Sequence, residues 1–86
     1  VLDNGGWRAV KEAVLRVYPE GEAAASGEFS ARLSGPRRDF EQVAQAFGAY
    51  GERVDRAEHL DAALARSLDA IDSGRAAVLN VQVAPL

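Results

Sequence analysis

The 86-residue chain has no cysteine and no methionine. Without thiols there can be no disulfide staple, no thiolate zinc site and no cysteine nucleophile. A single histidine, His59, leaves too little for a histidine-based metal site or a catalytic triad. Apolar runs are only a few residues long, far short of the roughly 20 needed to span a bilayer, and no signal-peptide pattern is present. Positive charge is also scarce: 10 Lys+Arg against 13 Asp+Glu give a formal charge of −3, with no basic block to track a phosphate backbone. These absences argue against nucleic acid and membrane as partners and make a cytoplasmic location the expectation. What is there, 48% hydrophobic and 27% charged residues, suits one small globular domain with a thin core.

Val1-Leu2 reads as the end of a buried strand that runs into Asp3-Asn4-Gly5-Gly6. A chain that starts inside an element, without an initiator Met, is expected to be an excised or truncated piece. Trp7, Val10, Val14 and Tyr18 then recur at helical spacing until Pro19, which predicts a helix over 7–18. Turn residues dominate 19–38, a long loop in which Ala23-Ala24-Ala25 has room for one helical turn. Asp39 and Gln42 have capping-box spacing, and Phe40, Val43, Ala44 and Phe47 predict a second helix over 39–48. Glu52-Arg53-Val54 reads as a short strand. Asp55 and Glu58 repeat the capping spacing ahead of a third helix with Leu60, Leu64, Leu68 and Ile71 on one face, closed by Gly74. Ala76 to Val83 alternates as a strand, and Pro85 closes it. Strands separated by helices imply an α/β fold, with helices flanking a parallel sheet.

The chemistry-bearing feature is Asp3-Asn4-Gly5-Gly6-Trp7, a loop leaving the carboxyl end of a strand and opening a helix, where α/β folds bind ligands. Glycines permit close backbone approach, and the helix start attracts anions. Asp3 and Asn4 add hard oxygen donors suited to Mg²⁺ held together with phosphates. The residues alone support two readings: a site for a magnesium-bridged diphosphate, or a plain turn, since Asp-Asn-Gly is a common turn sequence.

The run Val1-Leu2-Asp3-Asn4-Gly5-Gly6-Trp7 resembles the end of the thiamine diphosphate-binding motif, which opens with Gly-Asp-Gly and closes with an apolar strand and Asn-Asn. The segment from Asp39-Phe40 through Val43-Ala44-Gln45-Ala46-Phe47-Gly48-Ala49-Tyr50-Gly51-Glu52-Arg53-Val54 is similar to the stretch downstream of that motif in acetolactate synthase-like enzymes. Glu58-His59-Leu60-Asp61-Ala62-Ala63-Leu64 and Ala76-Ala77-Val78-Leu79-Asn80-Val81-Gln82-Val83 resemble the last helix and strand of their carboxyl-terminal domain. The resemblance implies the C-terminal part of a Rossmann-like, three-layer thiamine diphosphate-binding domain. Residues 1–18 would close the cofactor motif, 19–38 form a variable loop, and 39–86 supply α-β-α-β.

It further implies two cofactors, thiamine diphosphate and Mg²⁺, with the Asn4 side-chain oxygen and the Gly6 carbonyl as metal ligands. Gly5 and Trp7 complete the cofactor-binding set, Trp7 either as a pocket wall or as the first core anchor of its helix. Asp3 stands where the family usually has Asn, and takes no ligand role. The Gly-Asp-Gly half and the glutamate that activates the cofactor would lie elsewhere, the latter in a neighbouring subunit, so no catalytic residue is expected in this segment. The implied activity is that of a lyase or transferase: decarboxylation or carboligation of a 2-oxo acid substrate by a homodimer or homotetramer. A non-catalytic small α/β interaction module and a nucleotide- or phosphate-binding domain using the same Gly-Gly helix start are the competing readings. His59, Arg37 and Arg38 are expected to face solvent, and Tyr18, Glu20 and Glu22 to lie near an active-site entrance.

Overall fold

A computed structural model describes all residues, 1–86. In chain order they form β1 (Leu2–Asp3), α1 (Arg8–Val17), α2 (Glu22–Ser26), α3 (Phe40–Ala46), β2 (Tyr50–Val54), a 3₁₀ turn (Ala57–His59), α4 (Leu60–Asp72) and β3 (Ala77–Gln82). Two compact units result: Val1–Asp3 with Arg37–Val83, and Asn4–Pro36 with Ala84–Leu86. No helix is long and apolar enough to cross a membrane.

The first unit is a three-stranded parallel sheet in the order β1-β3-β2. Its register pairs Leu2 with Val81, Asp3 with Gln82 and Arg53 with Asn80. Parallel neighbours require a crossover, and α4 provides it between β2 and β3. The period of two in β2 assigns a helix to each face of the sheet. Gly51 faces α3, because a Cβ built there would lie 2.1 Å from the Glu41 carbonyl oxygen. Its neighbour Glu52 faces the other way, to the Arg66 guanidinium of α4. Helices on both faces are what a parallel sheet needs, and the expected α/β class is the one observed.

The helices do not present the faces their apolar spacing predicts. On α4 the buried residues are Ala63, Ser67 and Ala70, while Leu64, Leu68 and Ile71 are exposed. Small side chains let the helix backbone approach the sheet closely, and the Ser67 hydroxyl is satisfied within the helix by donating to the Ala63 carbonyl at 2.9 Å. On α3 it is Glu41 and Ala44 that are buried, whereas Val43 and Phe47 are exposed, Phe47 to 88%. The capping boxes fail as well. The Asp39 side chain makes no cap hydrogen bond and instead accepts from Arg37, and Glu58 pairs with Arg56. Gly74 does occupy a left-handed position after α4, with φ of 90°.

The second unit contains α1, α2 and an isolated antiparallel bridge between Gly6 and Arg32. The stretch expected as a loop over 19–38 therefore holds a five-residue helix, α2, closed by Gly27 at φ of 73°. No residue of α1 is fully buried, and Val10, Val17 and Tyr18 are exposed. Ala31 is the buried residue of this unit, at 3% exposure.

Candidate functional site

Asn4 folds back on its own loop: its side-chain oxygen accepts the Gly6 N–H at 3.1 Å, an Asx turn that fixes the carboxamide. Gly5 adopts φ of 75°, which a side chain would oppose. The loop is then clamped by the segment 31–33. Trp7 N–H donates to the Ala31 carbonyl and Leu33 N–H donates to the Gly5 carbonyl, both at 2.8 Å. Because the bridge uses groups on either side of Gly6, the Gly6 carbonyl points away from that segment. A Cβ at Gly6 would sit 2.5 Å from the Ala31 oxygen and 2.8 Å from Leu86, so the close approach demands glycine. Leu86 N–H closes the loop from the other end by donating to the Asn4 carbonyl at 3.0 Å.

A cavity of about 190 Å³ is lined by Asn4, Gly5, Arg32, Leu33, Pro85 and Leu86. Arg32 is the residue that sequence reasoning missed here. It sits in what reads as an unpatterned loop, and only the bridge to Gly6 brings it beside Asn4. Trp7 lies at the entrance to α1 and is 61% exposed. Its indole is accessible within this chain rather than packed into its core.

The donor set fits a bound divalent cation in two respects. A carboxamide oxygen has two lone pairs, of which the Gly6 N–H uses one, and the Gly6 carbonyl is oriented independently of the clamp. Both are neutral hard oxygens of the kind Mg²⁺ accepts alongside substrate phosphates. No cluster of three or more His, Cys, Asp or Glu that could hold a metal ion converges in the chain.

In the sheet unit, the α3 face carries a row of polar side chains. Asn80, on the central strand, is 0% exposed, and its Nδ2 donates both to the Arg38 carbonyl at 2.9 Å and to Glu41 Oε2 at 2.7 Å. Gln82 Nε2 donates to Asn80 Oδ1 at 3.1 Å. Beside Gln82 in the register lies Asp3, whose Oδ1 accepts from Arg38 Nη2 at 3.3 Å. Arg38 is therefore not a solvent-facing loop residue, as its Gly-Pro setting implied. Arg37 is: its exposed guanidinium is paired with Asp39, which raises its pKa above the ordinary arginine value. His59 is exposed, as expected.

Perturbed ionisation is also found at Glu58, whose carboxyl is lowered first by a backbone hydrogen bond of its own and then by Arg56, and at Tyr50, Glu52 and Arg66. Arg66 holds the Glu52 carboxyl below its usual range, and the Glu52 hydrogen bond pushes the Tyr50 phenol up. This last trio links β2 to α4 and contains no residue of the Asn4 loop.

Among known protein families, the one described as "Thiamine pyrophosphate enzyme, C-terminal TPP binding domain" matches residues 1–81. No curated protein and no solved structure matches.

Proposed function

The chain belongs to the family of thiamine pyrophosphate enzyme C-terminal TPP-binding domains, and on that premise we propose that Asn4 and Gly6 hold a Mg²⁺ ion that binds the cofactor's diphosphate. The observation that supports this reading is the clamped loop: an Asx turn that fixes the Asn4 carboxamide, a positive-φ glycine at position 5 and a glycine at position 6 with no room for a Cβ. Arg32, lining the same cavity as Asn4, adds positive charge for the diphosphate. The exposed Trp7 indole walls the substrate side.

Thiamine diphosphate, when bound, supplies the electron sink for breaking a bond beside a carbonyl. The work of this chain is to bind and orient: Asn4 and Gly6 fix the metal, and Gly5 lets the backbone turn around it. By its resemblance to acetolactate synthase-like enzymes, we assign the whole enzyme to decarboxylation or carboligation of 2-oxo acids, as a lyase or transferase. The same resemblance makes it a homodimer or homotetramer, with cofactor-activating groups from outside this segment.

The test is calorimetric titration of the protein, as naturally encoded, with thiamine diphosphate in the presence and absence of Mg²⁺. Binding should require the metal and weaken at least tenfold in Asn4→Ala, the loss usual for removing a group that holds a metal in place. Metal-independent binding, or an unaffected Asn4→Ala variant, refutes the assignment.

A further inference from the structure

The Asp3–Arg38 pair has a consequence for the cofactor loop. Asp3 is the last residue of β1 and is joined by one peptide bond to Asn4. Its side chain is 8% exposed and its carboxylate is met by Arg38, whose side chain is 29% exposed. A carboxylate this enclosed is costly to bury without a cation. Arg38 is itself held at its other end, because its carbonyl accepts from the fully buried Asn80, which Glu41 and Gln82 fix in turn. Asp3 is also tied through its backbone, with the Val83 N–H donating to its carbonyl at 3.1 Å. The end of β1 is thus set from both the main chain and the side chain.

We propose that Arg38 is a positioning residue for the cofactor loop: by pairing with Asp3 it fixes and neutralises the residue from which Asn4 departs. The proposal rests on the reading of Asn4 as a metal ligand and explains why an acid is tolerated where the resembling enzymes carry a neutral Asn. Removing Arg38 acts in one direction through two routes. The carboxylate loses the guanidinium that fixes it, and its negative charge, one residue from Asn4 and no longer offset by that cation, repels the anionic diphosphate. An Asn at position 3 needs no such counter-charge, so the dependence on Arg38 should vanish with the carboxylate.

The experiment is a double-mutant cycle on the dissociation constant for thiamine diphosphate at saturating Mg²⁺, measured by calorimetry on the protein as naturally encoded. Apo-protein Tm is recorded for every variant. Arg38→Gln should weaken binding about tenfold or more, as outer partners of metal ligands do. Asp3→Asn should bind within about threefold of wild type, and the Asp3→Asn, Arg38→Gln double variant should recover to the same range. A purely structural ion pair would lower the apo Tm and leave the dissociation constant unchanged, and that result overturns the proposal. So does an equal loss in both backgrounds. If Arg38→Gln does not fold, the neutral Arg38→Met takes its place: weakened binding supports the role, and wild-type affinity overturns it. Failure of the wild-type protein to bind the cofactor overturns the underlying reading of Asn4 instead, which separates the two failures.

Discussion

Replacing Gly6 by Ala should open the clamp around the candidate metal loop while leaving the sheet unit folded. The added Cβ would lie 2.5 Å from the Ala31 carbonyl oxygen, 2.8 Å from a Leu86 methyl and 3.2 Å from the Arg32 Cα. The Leu86 side chain can rotate away, but Ala31 and Arg32 are met by their backbones, so the 31–33 segment must move. Overpacking of this kind costs about 1–3 kcal/mol. The displaced segment also carries the Trp7 N–H to Ala31 bond and the Leu33 N–H to Gly5 bond, each 2.8 Å in the native loop. Losing either adds about 0.5–1.5 kcal/mol. Hydrogen exchange of the Trp7 and Leu33 amides reads this directly, and a loss of about 2 kcal/mol corresponds to an exchange rate roughly 30-fold faster. Amides of β3, in the other unit, should keep their protection. If Gly6→Ala left the Trp7 and Leu33 amides as protected as in wild type, the argument that Gly6 is required for the clamp would be wrong. If β3 lost protection equally, the loop would not be a separable unit.

Gly51→Ala should be more damaging, since its Cβ would sit 2.1 Å from the Glu41 carbonyl oxygen and 2.9 Å from the Glu41 carbonyl carbon, so the backbone of α3 must shift; about 3 kcal/mol of stability is lost. Gly48→Ala is the control: φ there is 81° but the space is open, so thermal melts should show a smaller loss of about 1 kcal/mol. The Glu52–Arg66 pair gives a pH test. Arg66 depresses the folded-state pKa of Glu52, so its stabilising effect is complete above the unfolded carboxylate value near about 4.3 and disappears as pH falls through the lower folded value. The Tm difference between wild type and Glu52→Gln should be constant from about pH 6 to about 8 and shrink below about pH 4; a difference that persists undiminished at about pH 2 would contradict that sign.

The element order was legible because the sequence marks its own boundaries. Pro19 closes α1, Gly74 takes the left-handed position after α4, and the alternation of residues 77–82 is a strand pattern that needs no tertiary information. The faces of the helices were less legible. Hydrophobic periodicity finds the apolar stripe of α4, Leu64, Leu68 and Ile71, but burial in this chain runs along the small-residue stripe Ala63, Ser67 and Ala70. Which stripe meets the sheet is set by how closely the helix can approach, and spacing does not encode that.

At the site, Asn4, Gly5 and Gly6 could be read from a local motif because the Asx turn and the positive φ are local properties. Arg32 could not, since it reaches the loop through a bridge across 26 residues, from position 32 to position 6. The Glu41–Asn80 contact spans 39 residues and joins two side chains that each look like surface residues in their own elements. One signal did point toward Arg38. A carboxylate at position 3, where a neutral amide is usual, calls for a cation nearby, and only the fold identifies which of the chain's arginines answers.

The central claim is that the Asn4 side chain and the Gly6 carbonyl ligate the metal that binds the cofactor's diphosphate. A crystal structure of the naturally encoded protein with thiamine diphosphate and Mg²⁺ tests it most directly. The account predicts an octahedral ion with Asn4 Oδ1 and the Gly6 carbonyl oxygen each at about 2.0–2.1 Å, sharing the remaining positions with phosphate oxygens and other ligands. An ion held without either of these atoms, or a diphosphate seated away from the Asn4 loop, would contradict it.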